Sequence, residues 1–218
     1  MPVAWNEDDP RDEAALVRNL SQVLRELVQG SRLRQVPSVA MAQEWHRKIY
    51  EGIRLPVAYY AGEIRDSDPK FPELDGYEVQ VGRHLGVPSA QVPSELANYE
   101  AALREAVAVL DNEIPIFRYP DDPDQFLSLL TLLAYAHGEW VRIHPFANGN
   151  GRTARLWANW CALRYNLPAF VRLKPRPEGN LYANAAAASM SGDHQSMIAV
   201  FAQMLDQYLS PRPRRSAS

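Results

Sequence analysis

The sequence predicts a mainly α-helical domain that carries one small β-hairpin. Apolar residues recur at spacings of three and four along most of the 218-residue chain, which is typical of amphipathic helices. Apolar and polar residues alternate clearly in one region, at 77–81. The run at 124–141 is hydrophobic nearly all round, and a helix of that kind is expected at the buried centre of a domain.

The first two helices are predicted from their end signals and their apolar spacing. Asp9 before Pro10 resembles an N-cap followed by a first-turn proline, and Gly30 is placed to end this helix. A second helix is predicted from near Ser38 to Glu51, and the segment at 55–74, with its prolines and glycine, is predicted to be a loop. The apolar side of the first helix consists of Leu16, Leu20, Val23, Leu24 and Leu27.

The hairpin and the remaining helices follow in chain order. The turn of the hairpin is predicted at 82–86, G-R-H-L-G. Helices are predicted over 94–110, over 124–141, from near Gly151 or Arg152 to about 166, and over 195–209. The predicted first strand of the hairpin consists of Tyr77, Glu78, Val79, Gln80 and Val81.

The composition predicts a soluble, globular, cytoplasmic protein. Hydrophobic residues make up 46% of the chain and charged residues 22%. The N-terminus lacks the basic and apolar regions of a secretion signal, and no apolar run approaches the roughly 18 residues of a membrane span. A net charge of −3 argues against nucleic-acid binding, which normally needs a basic surface. The single cysteine, Cys161, is interpreted as a small core residue.

The predicted organisation has three parts. A helical extension occupies residues 1–37, the main domain occupies 38–209, and a disordered tail rich in proline and arginine occupies 210–218.

One stretch concentrates the residues that carry chemistry. H-P-F-A-N-G-N-G-R-T-A-R, residues 144–155, joins the buried helix to the start of the next one, and the first turn of a helix attracts anions through its unpaired N–H groups. Gly149 and Gly151 let the backbone curl around phosphate oxygens. Arg152 and Arg155 lie three apart on one helix face and suit phosphate. The imidazole of His144, at the start of the stretch, suits a general base that takes a proton from a hydroxyl.

Taken one at a time, these residues also fit ordinary structural roles, since glycine and asparagine fill turns and a histidine at a helix end often acts as a cap. A nucleotide P-loop is excluded because no lysine and Ser/Thr pair follows the glycines. A Rossmann turn is excluded because a helix precedes the loop. A zinc site is not predicted, because the five histidines show no ligand spacing.

Residues 144–155 resemble the signature of the Fic domain family, which is H-P-F, any residue, an acidic residue, G-N-G-R and a second arginine three positions later. Further resemblance at 45–53, 61–65, 134–143 and 181–193 extends it over about residues 40–207. The resemblance implies a helical bundle with a β-hairpin flap beside the loop between two central helices. The matching positions are His144, Pro145, Phe146, Gly149, Asn150, Gly151, Arg152 and Arg155.

The resemblance also implies a protein adenylyltransferase (an AMPylator), which transfers AMP from ATP to a Ser, Thr or Tyr hydroxyl of a target protein. In that role His144 is the general base and Phe146 anchors the loop. The strand at 77–81 aligns the target by backbone hydrogen bonds, although a hairpin that merely covers the core fits the sequence equally well. The implied phosphate-binding residues are Gly149, Asn150, Gly151, Arg152 and Arg155.

Asn148 departs from the family signature. The family has an acidic residue there that holds Mg²⁺, whereas an asparagine supplies a neutral oxygen, and Mg²⁺ prefers carboxylates and substrate phosphates. We therefore expect Mg²⁺ or Mn²⁺ to be held weakly by the protein and mainly by the nucleotide. Two alternatives stay open. One is another phosphate-containing transfer or removal (UMP, phosphate, phosphocholine or de-AMPylation). The other is a catalytically weak nucleotide-binding protein.

Regulation is the last property that the resemblance implies. Many family members are restrained by an inhibitory helix with Ser or Thr, three residues, Glu, then Gly or Asn, whose Glu pairs with the second motif arginine. No Ser or Thr in this sequence is followed by Glu four positions later. The sequence leaves two options: a separate small antitoxin supplies the helix, or a weak metal site makes restraint less necessary.

Overall fold

A computed structural model describes residues 5–66 and 70–210. Within these residues, seven α-helices pack together, and one short hairpin lies beside them. The mainly α fold class predicted from the sequence is confirmed. The strands are β1 (Gln80–Val81) and β2 (His84–Leu85). The helices are α1 (Glu13–Gly30), α2 (Val39–Ile49), α3 (Val92–Glu113), α4 (Pro123–Ile143), α5 (Asn150–Arg164), α6 (Asn180–Ser189) and α7 (Gln195–Leu209).

Helix α4 is the centre of the fold, as its all-round apolar sequence predicted. It packs against α3, α5, α6 and α7. Its most extensive packing is with α5, in which the small side chains of Ala154, Ala158 and Cys161 are buried. Burial raises the pKa of the Cys161 thiol, which fits its predicted place in the core rather than a nucleophilic role.

The helix ends follow the capping signals in the sequence. The hydroxyl of Ser38 accepts a hydrogen bond from the Met41 amide at the start of α2. The carboxylate of Asp122 accepts hydrogen bonds from the first amides of α4 at 2.8 and 2.9 Å. Helix α3 is longer than the predicted 94–110, because Pro93 lies in its first turn, where a missing N–H costs nothing.

The hairpin is shorter than predicted. Only residues 80–81 pair with 84–85, and one further hydrogen bond joins the Gly86 amide to the Val79 carbonyl at 3.0 Å. The backbone of Tyr77 does not pair across the hairpin, because its amide donates to the Leu74 carbonyl at 3.1 Å and its carbonyl accepts from Arg65 at 3.2 Å. The side chain of Glu78 also faces away from a partner strand, since its carboxylate accepts hydrogen bonds from the amide and hydroxyl of Ser89 at 3.0 and 2.8 Å.

No helix in the described ranges is both long and apolar enough to cross a membrane. Of the tail predicted at 210–218, residues 211–218 lie outside the described residues, and so do residues 1–4 of the predicted extension.

Candidate active site

The loop between α4 and α5 begins at His144. This residue caps α4 in the left-handed backbone conformation, φ 54°, and its amide donates to the Trp140 carbonyl at 3.0 Å. Its ring Nδ1 lies 3.1 Å from the Val141 carbonyl oxygen. Because a carbonyl oxygen only accepts, Nδ1 carries the proton and Nε2 keeps its lone pair.

The electrostatic surroundings keep the His144 ring neutral. Burial lowers its pKa to about 4; the hydrogen bond to Val141 opposes this shift, and the nearby charge of Arg65 adds to it. The ring is therefore ready to accept a proton at neutral pH.

Asn150 closes the loop onto itself. Its side-chain oxygen accepts a hydrogen bond from the Phe146 amide, and its side-chain nitrogen donates to the Phe146 carbonyl, both at 2.9 Å. The ring of Phe146 is fully buried and stacks on His46 with the ring centroids 3.8 Å apart. The Asn150 side chain is thus engaged within the loop, and the group it has for an anion is its backbone amide.

Gly149 is required by the close approach of α2. Its φ of 79° favours glycine, and a Cβ atom there would lie 2.4 Å from the Tyr50 hydroxyl and 2.7 Å from Nε2 of His46. His46 accepts a hydrogen bond from the Gly62 amide at Nδ1, so its Nε2–H donates to the Asn148 carbonyl at 3.0 Å. Helix α2 and Tyr50, the residue that caps its C-terminus, therefore pack against the motif loop at Asn148 and Gly149.

The start of α5 supplies backbone donors. Because the helix begins at Asn150, the amides of Asn150 and Gly151 lie in its first turn, where N–H groups have no partner within the helix. The Gly149 amide, in contrast, donates to the side-chain oxygen of Asn148 at 2.9 Å. The backbone amides left without a partner in the helix are those at 150 and 151, and they lie at the positive end of the helix, where an anion is favoured.

Arg152 is buried and already holds carboxylates. Its guanidinium is 4% exposed and forms ion pairs with Glu7 and, at 2.5 Å, with Asp8. It also donates to the hydroxyl of Tyr50 at 2.7 Å, and that hydroxyl donates to Glu7 at 2.8 Å. Residues 5–9, which we call the N-terminal strap, therefore put two negative charges on the arginine that the motif assigns to phosphate.

The strap is held at further points. Lys174 donates to Asp8 at 2.9 Å. Although burial by itself would raise it, the pKa of Asp8 is lowered, because Lys174 and the charge of Arg152 favour the carboxylate. The Trp5 ring packs edge-on against Tyr50 with centroids 4.6 Å apart.

Both ends of the Asn148 amide are engaged. Its nitrogen donates to the Trp5 carbonyl of the strap at 2.8 Å, while its oxygen accepts from Gly149. These two partners determine the orientation of the amide, since a carbonyl needs a donor and an N–H needs an acceptor. An aspartate could serve the second partner and would repel the first.

The side chains present do not form a protein-held Mg²⁺ site. Asn148 contributes no charge and both its polar atoms have partners. Within the ranges 5–66 and 70–210, no group of three or more histidine, cysteine, aspartate or glutamate side chains is arranged to hold a metal ion. Hard divalent cations prefer such carboxylate oxygens.

Arg155 lies near the first turn of α5, since a Cβ atom on Gly151 would be 3.3 Å from its Nη1, and its charge contributes to the lowered pKa of Asp8 in the strap. It is 5% exposed and donates to the Leu173 carbonyl at 2.9 Å and to the Tyr182 hydroxyl at 3.5 Å. The structure brings His144, the amides of Asn150 and Gly151, Arg152 and Arg155 to one loop and helix end, and the guanidinium of Arg155 is bound there to the Leu173 carbonyl and the Tyr182 hydroxyl.

The sequence did not reveal the residues that support the motif from elsewhere in the chain. His46, Tyr50, Arg65 and the strap carboxylates were not assigned a role. Two signals were available: the family resemblance at 45–53 and 61–65, which contain His46, Tyr50 and Arg65, and the acidic cluster N-E-D-D at residues 6–9, in which only Asp9 was interpreted, as a helix cap.

Comparison with known proteins identifies relatives of the motif region. A protein named protein adenylyltransferase Fic from Drosophila persimilis is 35% identical over 80 residues, which cover 35% of this chain and 15% of the relative. One of the same name from Nematostella vectensis is 39% identical over 66 residues, 30% of this chain and 15% of the relative. The match thus spans about 15% of the length of these relatives.

Solved structures share the whole fold. A Fic domain containing signaling protein from Bacteroides thetaiotaomicron covers 88% of this chain and 68% of its own, with a TM-score of 0.60 and 17% identity. The Bartonella tribocorum effector BepC, solved with bound AMPPNP, covers 94% and 90%, with a TM-score of 0.53 and 16% identity.

The model of the Fic/DOC family matches residues 37–162, more than half of the chain. This match, together with the shared fold and the loop geometry at 144–155, shows that the chain belongs to the Fic/DOC family.

Proposed function

We propose that this protein is a protein adenylyltransferase, which transfers AMP from ATP to a hydroxyl side chain of a target protein. The observation that carries the proposal is a neutral His144, with Nε2 free to accept a proton, at the loop that leads to the N-terminus of α5 and Arg152. Relatives of the motif region are named protein adenylyltransferases, and the similar BepC structure holds the nucleotide analogue AMPPNP.

In the proposed reaction, Nε2 of His144 takes the proton of the target hydroxyl. The hydroxyl oxygen then bonds to the α-phosphorus of ATP, the bond from that phosphorus to the bridging oxygen breaks, and pyrophosphate leaves. The amides of Asn150 and Gly151 and the guanidinium of Arg152 stabilise the negative charge that builds up on the phosphates. Any Mg²⁺ or Mn²⁺ would be held chiefly by the phosphates, since the chain supplies no carboxylate set for it.

The position of the transferred label tests the proposal. With ATP labelled at the α-phosphate, the label is expected to appear on a protein, whereas ATP labelled at the γ-phosphate is expected to leave no mark. Label from the γ-phosphate alone would indicate phosphate transfer instead. Nucleotide binding without any transfer, across Mg²⁺ and Mn²⁺ titrations, would favour a binding protein. Parallel reactions with UTP, GTP and CTP identify the base preference.

The same site also bears on restraint. A separate small antitoxin remains one proposed source of an inhibitory carboxylate. The ion pair between Glu7 and Arg152 supports a second source, the chain's own N-terminal strap, which occupies an arginine that the triphosphate needs. In this proposal the strap leaves Arg152 when ATP binds, and Arg155 exchanges the Leu173 carbonyl for a phosphate oxygen.

Asn148→Asp separates two effects of this position. The carboxylate is expected to lower the Mg²⁺ concentration for half-maximal transfer about tenfold, because one charge-assisted interaction contributes roughly 1.5–3 kcal/mol. Asn148→Ala is the matched control, since it also removes the hydrogen bond to Trp5 but adds no charge. If both variants need less Mg²⁺ for half-maximal transfer, the cause is release of the strap. If only Asn148→Asp needs less, the cause is metal binding by the carboxylate. An unchanged Mg²⁺ dependence in Asn148→Asp would contradict the expected effect.

A further inference from the structure

We propose that Arg65 is a positioning residue that holds the hairpin and the His144 peptide at a fixed spacing, so that the base and the docked target segment meet in register. The inference rests on the proposed transfer reaction and on contacts that the motif itself does not include.

The guanidinium of Arg65 is fully buried and bonds to backbone on two sides. At the end of α4 it donates to the His144 carbonyl at 2.6 Å and to the Ile143 carbonyl at 2.8 Å. At the two segments that flank the hairpin it donates to the Tyr77 carbonyl at 3.2 Å and to the Val87 carbonyl at 2.5 Å. One side chain therefore links both flanking segments of the hairpin to His144, the residue that begins the motif.

The backbone of Arg65 adds a fifth link, because its amide donates to the Pro145 carbonyl at 2.8 Å. The side chain and the main chain of one residue thus bind three successive carbonyls, those at 143, 144 and 145. These carbonyls lie at the negative end of α4, which favours a cation. The left-handed backbone of His144 is stabilised by this set of contacts.

Stability alone does not account for an arginine here. Burial lowers the pKa of Arg65 to about 10, which reflects the cost of removing a charge from water. Its carboxylate neighbour, Glu78, lies 3.6 Å away with a side chain that is 57% exposed, so it compensates little. What an arginine provides is a planar fork of five donors, which suits carbonyls on two sides and which lysine lacks.

Gly86 shows how close the hairpin comes to the base. A Cβ atom on this residue would lie 3.2 Å from Cβ of His144, 3.0 Å from Nη2 of Arg65 and 2.6 Å from Cγ2 of Val79. Only a residue without a side chain allows this approach. The residue that follows β2 therefore packs directly on His144 and on the guanidinium of Arg65.

Spacing of this kind matters for transfer. A target segment aligned on the hairpin edge reaches Nε2 of His144 only if hairpin and base keep their relative position, and a displacement of about 1 Å can reduce a reaction rate about 100-fold. Nucleotide binding, in contrast, uses the first turn of α5 and Arg152, which Arg65 does not contact.

The test compares Arg65→Lys and Arg65→Gln with Arg164→Gln. Arg164 is a matched control, because it is also buried, at 5% exposure, and pairs with Asp111 and the Gln35 carbonyl at the far end of α5. Per folded molecule, both Arg65 variants are expected to lose about 10- to 100-fold in kcat and to raise KM for the target. Their Kd for ATP is expected to stay unchanged, and Arg164→Gln is expected to change only the melting temperature.

Gly86→Ala is the second variant and keeps the arginine at position 65. Its added methyl group crowds Val79, the guanidinium of Arg65 and Cβ of His144 at once, so the packing between hairpin and base is disturbed and the same loss of kcat with unchanged Kd for ATP is expected. This variant tests the spacing even if the Arg65 variants fail to fold.

Hydrogen exchange gives a measurement that does not depend on activity. In Arg65→Gln, the amides at 77–87 and at 143–146 are expected to lose protection together, while those of α5 keep theirs. The proposal is overturned if the Arg65 variants and Gly86→Ala retain wild-type kcat and KM, or if the two segments keep full protection. A wild type without transfer activity would refute the proposed function, and the exchange experiment would still decide the role of Arg65.

Discussion

Replacing His144 by alanine is expected to reduce AMP transfer by about 10²- to 10⁴-fold, the range that a general base contributes. The reason is geometric, because Nδ1 is bound to the Val141 carbonyl and Nε2 is the ring atom left to take the hydroxyl proton. The affinity for ATP is expected to change little, since the nucleotide is assigned to the amides at 150 and 151 and to Arg152. The measurement is initial transfer rate from ATP labelled at the α-phosphate, with ATP affinity determined separately.

The pH dependence of transfer is expected to follow the protonation of His144. A protonated imidazole cannot accept a proton, and the pKa of His144 is lowered to about 4 by burial and by the charge of Arg65 against the opposing bond to Val141. We therefore expect kcat/KM to stay level from pH 8 to about 5 and to fall below that, with a midpoint near 4.

His194→Ala is the control for His144→Ala. His194 is a partly buried histidine whose Nε2 contacts Glu139 at 3.0 Å, away from the motif loop. Its variant is expected to keep transfer activity. A loss smaller than about fivefold in His144→Ala, or an acid limb near the ordinary histidine pKa of about 6.5 in the wild type, would show that His144 is not the base in the surroundings described.

Removing the strap carboxylates is expected to strengthen ATP binding. In the double variant Glu7→Gln/Asp8→Asn, Arg152 loses the two negative charges that occupy it. The apparent Kd of a ligand rises when only a fraction of the protein is competent to bind it, so release of the strap is expected to lower Kd for ATP by about tenfold or more, which corresponds to about 1.4 kcal/mol. Calorimetric titration with ATP measures the shift.

The single variants are expected to differ. The side chain of Asp8 is 62% exposed and that of Glu7 is 26% exposed, and exposed ion pairs contribute little. Glu7→Gln should therefore account for most of the gain.

Asp9→Asn is the matched control, because Asp9 lies in the same strap and bonds to Arg11 instead of Arg152. It removes the same charge and should leave Kd unchanged. An equal gain in Asp9→Asn would trace the effect to net charge, and no gain in Glu7→Gln would refute competition at Arg152.

Much of the fold was predictable from local sequence. The bounds of α7 match the apolar stripe at 195–209, and the all-round apolar run at 124–141 predicted the central helix α4, because periodicity and burial follow from side chains close together in the chain. The hairpin was predicted too long. Alternation at 77–81 predicted a strand where only 80–81 pair with 84–85, because the amide and carbonyl of Tyr77 bond to Leu74 and Arg65 instead of a partner strand.

The candidate site was predictable in part for the same reason. His144, the amides at 150 and 151 and Arg152 lie within nine residues, so one motif names them, although their catalytic roles remain predictions. Asn148 was seen as a departure from the signature, but its bond to Trp5 joins residues 143 positions apart. No local pattern encodes such a contact.

By itself, the sequence determined the helical class, the central helix and the family, since each depends on spacing along one segment of chain. Only the tertiary structure decided which groups surround the motif. Three separate segments supply these groups. Glu7 pairs with Arg152, His46 bonds to the Asn148 carbonyl, and Arg65 bonds to the His144 carbonyl. The physical reason is that a buried charge or polar group must find its partner wherever packing brings one, and packing joins residues without regard to their distance in sequence.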